Sequence, residues 1–108
     1  MSYHTLIWVD DIRVVPMYLR EKYDNVLICR TFRQAISYLN MVKNREIAGS
    51  VSISLDHDLG GSRTGYDLAK YIVENEIPIA SFDCHSANVV GKQNITDLLN
   101  HYGYLRGI

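Results

Sequence analysis

Residues 50–58 read Ser50-Val51-Ser52-Ile53-Ser54-Leu55-Asp56-His57-Asp58, a short run that ends abruptly in charge. A glycine-rich loop follows, Leu59-Gly60-Gly61-Ser62-Arg63-Thr64-Gly65, and it opens onto a helical pattern. Thr64 and Asp67 have the spacing of a helix cap, and Leu68, Ala69, Ile72 and Val73 then recur on one helical face. A strand, a polar turn and an amphipathic helix in that order make half of a βαβ unit. Whether this unit repeats decides the fold.

It does repeat, on both sides. Upstream, Tyr3-His4-Thr5-Leu6-Ile7-Trp8-Val9 is a first apolar run, closed by Asp10-Asp11. A short helix is predicted from Pro16, which suits a first helical turn, towards Lys22. A second strand is predicted over 25–30, ending in Arg30. Thr31 and Gln34 have capping-box spacing, and Phe32, Ala35, Ile36, Leu39 and Val42 form the face of the helix that follows. Downstream, Pro78 opens a fourth run over 79–84, which ends at His85-Ser86-Ala87-Asn88. A last helix carries Ile95, Leu98, Leu99 and Tyr102, with Gly103 as its C-cap.

Strands alternating with helices of about ten residues imply βαβ crossovers and a parallel sheet, whose strands are buried on both faces. Right-handed crossovers place every strand's C-terminal end on one edge, where ligands of such folds bind. The expected architecture is one α/β domain over residues 1–108, a three-layer sandwich on a parallel sheet of about four strands, whose order the alternation alone leaves open. A fourth strand left as an edge would favour a homodimer, unless the C-terminal residues cover it.

Composition agrees with a packed domain: 47% of the 108 residues are hydrophobic and 21% charged, with a net charge of −1. That balance lacks the basic excess of a non-specific nucleic-acid binder. No apolar run approaches the roughly 20 residues that span a bilayer, and the N-terminus lacks the pattern of a secretory signal. The expectation is a cytoplasmic protein. Cys29 and Cys84 lie apart in apolar runs and read as buried thiols, since zinc would want clustered Cys and His.

If the order is 2-1-3-4, three polar strand ends become neighbours: Asp10-Asp11, Asp56-His57-Asp58 and His85-Ser86 with Asn88. Four carboxylates so close repel one another unless a cation lies between them. Oxygen donors of this kind suit Mg²⁺ or Mn²⁺, with Asp10, Asp11 and Asp56 as ligands. His57 and His85 suit acid–base work, since a free imidazole changes charge near neutral pH. Arg13, Ser86, Asn88 and Lys92 are the residue types that hold phosphate oxygens. Plainer uses compete: Asp10-Asp11 also suits a helix cap and Asp58 a turn, while His4 and His101 read as ordinary surface or core residues.

These motifs resemble a family. An apolar strand ending in Asp10-Asp11, a second ending in Leu55-Asp56 with Gly65 nine residues on, and a later Ser86-Ala87 are similar to response-regulator receiver domains. That resemblance implies Mg²⁺ at the paired Asp, a phosphoryl group on Asp56 and a contact to it from the Ser86 hydroxyl. The resemblance also implies a receiver-like (flavodoxin-like) sheet in the order 2-1-3-4. Receivers carry a fifth strand with a Lys-Pro, and since no Lys-Pro occurs here that strand is expected to be short or absent. The runs Trp8-Val9-Asp10-Asp11-Ile12-Arg13, Leu55-Asp56-His57-Asp58-Leu59-Gly60 and His85-Ser86-Ala87-Asn88-Val89-Val90-Gly91 look more like the cyclic-phosphate-processing receiver-like family of bacteria and phages.

The leading functional expectation is therefore a metal-assisted phosphoesterase acting on a cyclic phosphate or nucleotide-like ester. Asp10, Asp11 and Asp56 would hold the cation and His85 would protonate the leaving oxygen. His57 or Asp58 would orient the water, and Asp56 as a covalent nucleophile stays open. A phosphoacceptor signalling module is the first alternative, though the missing lysine removes half of its switch. A non-catalytic binder of a phosphorylated small molecule is the second, since it would use the same residue types.

Overall fold

The structure is a computed structural model and describes residues 3–108. Four parallel strands, β1 (His4–Val9), β2 (Asn25–Cys29), β3 (Ser50–Leu55) and β4 (Ser81–Cys84), form one sheet in the order β2-β1-β3-β4. The helices are α1 (Met17–Lys22), α2 (Phe32–Lys43), α3 (Gly65–Glu74) and α4 (Val89–His101). This is the receiver (flavodoxin-like) arrangement that the resemblance to receiver domains implies.

Two cores flank the sheet. On one face Ile7, Val9, Ile53 and Leu55 meet Ala35, Leu39 and Val42 of α2, Leu68, Ala69 and Ile72 of α3, and Ile95 and Leu99 of α4. On the other face the smaller cluster of Leu6, Trp8, Val15 and Leu19 lies beneath α1. The strand period of two produces this split, because Leu6 and Trp8 point opposite to Ile7 and Val9.

From Leu6 to Val9, β1 is apolar on both faces, as a central parallel strand should be. β3 is not. Its serines pair in register with the apolar residues of β1, Ser52 with Leu6 and Ser54 with Trp8, so its α1-side face is polar. Both serines are buried, and the cost is met by side-chain partners: Ser52 Oγ meets Ser81 Oγ of β4 at 2.7 Å.

Several boundaries shift by a residue or two from those the pattern predicts. β2 ends at Cys29, releasing Arg30 to reach elsewhere. β4 begins at Ser81 rather than residue 79, although the Ala80 N–H already donates to the Val51 carbonyl at 2.8 Å. Pro16 precedes α1 as its N-cap, and Tyr102 caps α4 half-exposed instead of joining its buried face. Gly103 follows with φ +89°, the left-handed position that a helix end favours. Both cysteines are free and buried, and burial pushes the Cys29 thiol up to about 12.

The C-terminal residues supply a rudiment of a fifth strand. The Phe82 N–H donates to the Leu105 carbonyl at 2.9 Å, and the Gly107 N–H donates to the Phe82 carbonyl at 2.7 Å. Arg106 thus pairs in parallel with Phe82, and Ile108 packs on the smaller core. The open edge that would favour a dimer is covered by the chain's own tail.

Candidate functional site

Val9 stands opposite Leu55, and Leu55 opposite Cys84, so the strands end level. The ladder then continues one rung further. The Asp10 N–H donates to the Cys29 carbonyl at 3.0 Å, the Asp56 N–H to the Val9 carbonyl at 2.9 Å, and the His85 N–H to the Leu55 carbonyl at 3.0 Å. Asp10, Asp56 and His85 are therefore neighbours on a rung held in sheet register. One ligand atom from each lies within 4.8 Å of the others.

Asp10 is the most constrained of the three, with a relative exposure of 1%. One carboxylate oxygen accepts the backbone N–H groups of Ile12 and Arg13, at 2.9 and 2.8 Å, and thereby turns the chain out of β1. The other lies 2.9 Å from His85 Nε2. Burial alone would raise this carboxyl, but the two N–H donors and His85 outweigh it and hold the group below the ordinary carboxylate range.

His85 is gripped on three sides. Its Nδ1 lies 2.7 Å from Ser54 Oγ, its Nε2 faces Asp10, and its ring stacks on Trp8 with centroids 3.9 Å apart and planes 4° from parallel. Burial is the largest influence on the imidazole and lowers its pKa, against the pull of Asp10, and the net direction is down. The ring is thus neutral near pH 7. With Asp10 ionised, Nε2 carries the proton towards it and Nδ1 accepts from the Ser54 hydroxyl.

The loop over the rung is fastened by residues that motif reading passes over. Arg30 donates to the carbonyls of Asp10 and Arg13, at 3.1 and 2.6 Å, and the Trp8 indole N–H donates to the Arg13 carbonyl at 3.2 Å. Arg13 reaches across to the His85 carbonyl at 2.9 Å. Trp8 and Ser54 each lie two residues before a site aspartate, so strand alternation is the signal that places them on its face. Arg30 carries no such signal.

A cavity of about 330 Å³ opens above the rung, lined by Asp10, Asp11, Asp56 and Asp58 together with Arg13 and Gly60. All four carboxylates converge on it, as the strand ends imply. Asp11 lies outside the close trio and points towards Gly60, where a Cβ would come within 2.7 Å of its Oδ2. Gly60 has φ +77°, so the glycine loop both needs and uses its missing side chain.

Other expected site residues have structural employment. His57 turns away from the cavity to lie against Gly91, where a Cβ would meet its Cγ at 2.4 Å. Its Nδ1 lies 3.1 Å from Asp58 Oδ1 and 3.4 Å from Asn88 Nδ2. Asn88 is the N-cap of α4 and accepts the Gly91 N–H at 2.8 Å, while Ser86 Oγ accepts the Asn88 N–H at 3.0 Å. Lys92 sits one turn into α4, outside the cavity lining, with its charge near Cys84.

The donor set fits a divalent cation. Asp10 and Asp56 are nearly inaccessible carboxylates beside an imidazole, and no lysine or arginine side chain pairs with either carboxylate among the described residues. Asp10, Asp56 and His85 are the groups that would hold it. Searches among curated proteins and among solved structures each returned no match. A family model described as the cyclic-phosphate processing receiver domain matches residues 5–101, from the first strand to the end of α4. The match spans all three polar strand ends and nearly the whole chain, and by it the chain belongs to the cyclic-phosphate processing receiver domain family.

Proposed function

We propose that the chain is a metal-assisted phosphoesterase that opens a cyclic phosphate at the C-terminal edge of its sheet. The observation that carries this reading is the rung of Asp10, Asp56 and His85, with one ligand atom from each within 4.8 Å of the others. Asp10, Asp56 and His85 hold Mg²⁺ or Mn²⁺, and Asp11 lies beside them on the cavity wall. When bound, the cation withdraws charge from a phosphoryl oxygen and makes phosphorus easier to attack.

The remaining work falls to the chain. Arg13, which lines the cavity, balances the charge of the phosphate. Asp58 is exposed, lines the cavity and lies beside His57, so it accepts the proton of an attacking water. Water adds to phosphorus, the bond to one ring oxygen breaks, and that oxygen leaves as an alcohol after taking up a proton. A role for His85 as that proton's donor requires it to exchange Asp10 for the leaving oxygen. Its role as a ligand requires only the other tautomer, with Nδ1–H directed to Ser54 Oγ.

The test is incubation of purified protein with a panel of cyclic phosphates, with Mn²⁺ or with EDTA, read by mass spectrometry. Hydrolysis adds the mass of one water, and EDTA is expected to abolish it. Asp56→Asn is expected to lose Mn²⁺ binding and turnover together. Tight binding with every ligand recovered unchanged would replace the hydrolase by a binder. Labelling of Asp56 by acetyl phosphate, without turnover of any cyclic ester, would replace it by a signalling receiver.

A further inference from the structure

A second cavity is larger than the acidic one. About 720 Å³ opens between the start of α2 and the glycine loop, lined by Phe32, Arg33, Ile36, Leu59 and Arg63 among others. Among the described residues, Gly60 alone lines both this cavity and the acidic one. The two differ in charge: the acidic cavity has four carboxylates and one arginine, whereas this one has two arginines and no carboxylate. A volume of this order suits a small organic ligand, far more than a single phosphate needs.

Its chemistry is specific. The Arg63 guanidinium lies over the Phe32 ring, 4.5 Å from the centroid. That is the place a planar π system would occupy on the same ring. Arg63 is weakly held there: its side chain is 61% exposed, and its one ion pair, to Asp67, spans 3.8 Å. Such a surface pair contributes little, so a flat ligand can displace the guanidinium at small cost. Arg33 forms no ion pair among the described residues and is free to meet an anionic group.

We propose that this cavity is a nucleobase subsite, so that the substrate is a nucleotide-type phosphoester whose base stacks on Phe32 while its phosphate lies beyond Gly60 in the acidic cavity. Arg63 swings off the ring to cover the base's other face, and Arg33 contributes positive charge beside it. The substrate class rests on the phosphoesterase reading, whereas the base subsite stands on its own geometry.

The experiment separates the two. Adenosine, which has no phosphate, is titrated into protein carrying ¹³C-labelled phenylalanine rings without metal, and the Phe32 resonances are followed. Mn²⁺ alone is titrated separately and read by water-proton relaxation. Adenosine 2′,3′-cyclic phosphate is then compared with glycerol 1,2-cyclic phosphate, which has no base. The expected result is a Phe32 shift with adenosine and at least tenfold tighter binding of the adenosine ester. Phe32→Leu and the exposed Arg63→Gln should each weaken the adenosine ester about tenfold, within the range for a base stacked on an aromatic ring, and leave Mn²⁺ affinity unchanged. Equal affinity for the two cyclic esters, or an unshifted Phe32, overturns the subsite. Failure of Mn²⁺ to bind while adenosine still shifts Phe32 overturns the metal reading and leaves the subsite standing.

Discussion

Gly65 shows how closely single residues are bound into the site. A Cβ there would stand 2.1 Å from the Asp56 carbonyl oxygen and 3.1 Å from His57 Cα, both rigid backbone. Gly65→Ala must therefore push α3 away from the rung or shift Asp56 itself. Overpacking of this kind costs about 1–3 kcal/mol, and the urea midpoint should fall accordingly; an unchanged midpoint would show that the backbone yields freely. At this scale the sequence was readable wherever a polar residue ends an apolar run. Asp10, Asp56 and His85 are placed that way, because a parallel sheet brings its strand ends level. Ser86 and Asn88 lie in the same polar cluster, yet local turn and cap geometry claims their side chains before any ligand can. Residue type alone does not separate those two uses.

Among the elements, the helix starts were the most legible. Thr64 and Asp67 form a reciprocal capping box, and Thr31 accepts the Gln34 N–H as its spacing predicts. Gln34 departs from the pattern: its side chain accepts the Arg30 N–H, one residue before the cap, and so ties the end of β2 to α2. α4 is capped by Asn88, whose neighbours His57 and Ser86 depend on where it points. Asn88→Ala should cost about 1 kcal/mol, the usual loss for a cap, measured as a lower melting temperature. Cyclic-ester affinity changing more than this stability loss explains would instead place Asn88 at the ligand. The serine face of β3 was the least legible strand feature. Its alternation marks one polar side, but only the pairing with β1 and β4 shows that this side is buried and satisfied.

For the molecule as a whole, the buried rung sets how the fold responds to acid. His85 is kept neutral when folded, whereas the unfolded chain takes up a proton at about pH 6.5. Stability is complete above that value and falls as the pH drops below it. Asp10 is kept ionised when folded, so a second loss sets in below about pH 4, where the unfolded carboxyl protonates. Chemical denaturation from pH 7.5 to 3.5 should show both declines, and His85→Asn should remove the first while keeping the second. The parallel sheet followed from the alternation of strands and helices, whereas its order came with the resemblance to receiver domains. The tail's pairing with β4 followed from neither, since residues 104–108 are too few to carry a period, and only the vacant edge beside Phe82 accounts for their path.

Trp8 is the chain's one tryptophan, and its indole lies flat against His85, whose Nε2 faces the Asp10 carboxylate. The protein therefore carries its own optical reporter. An imidazole changes its power to quench an excited indole when it gains a proton or a ligand, and no other tryptophan dilutes the signal. Adding Mg²⁺ should alter the emission of the unmodified protein in a saturable way, and Asp10→Asn should flatten that response. An emission spectrum indifferent to Mg²⁺ across the millimolar range would mean that the ion does not reach the imidazole.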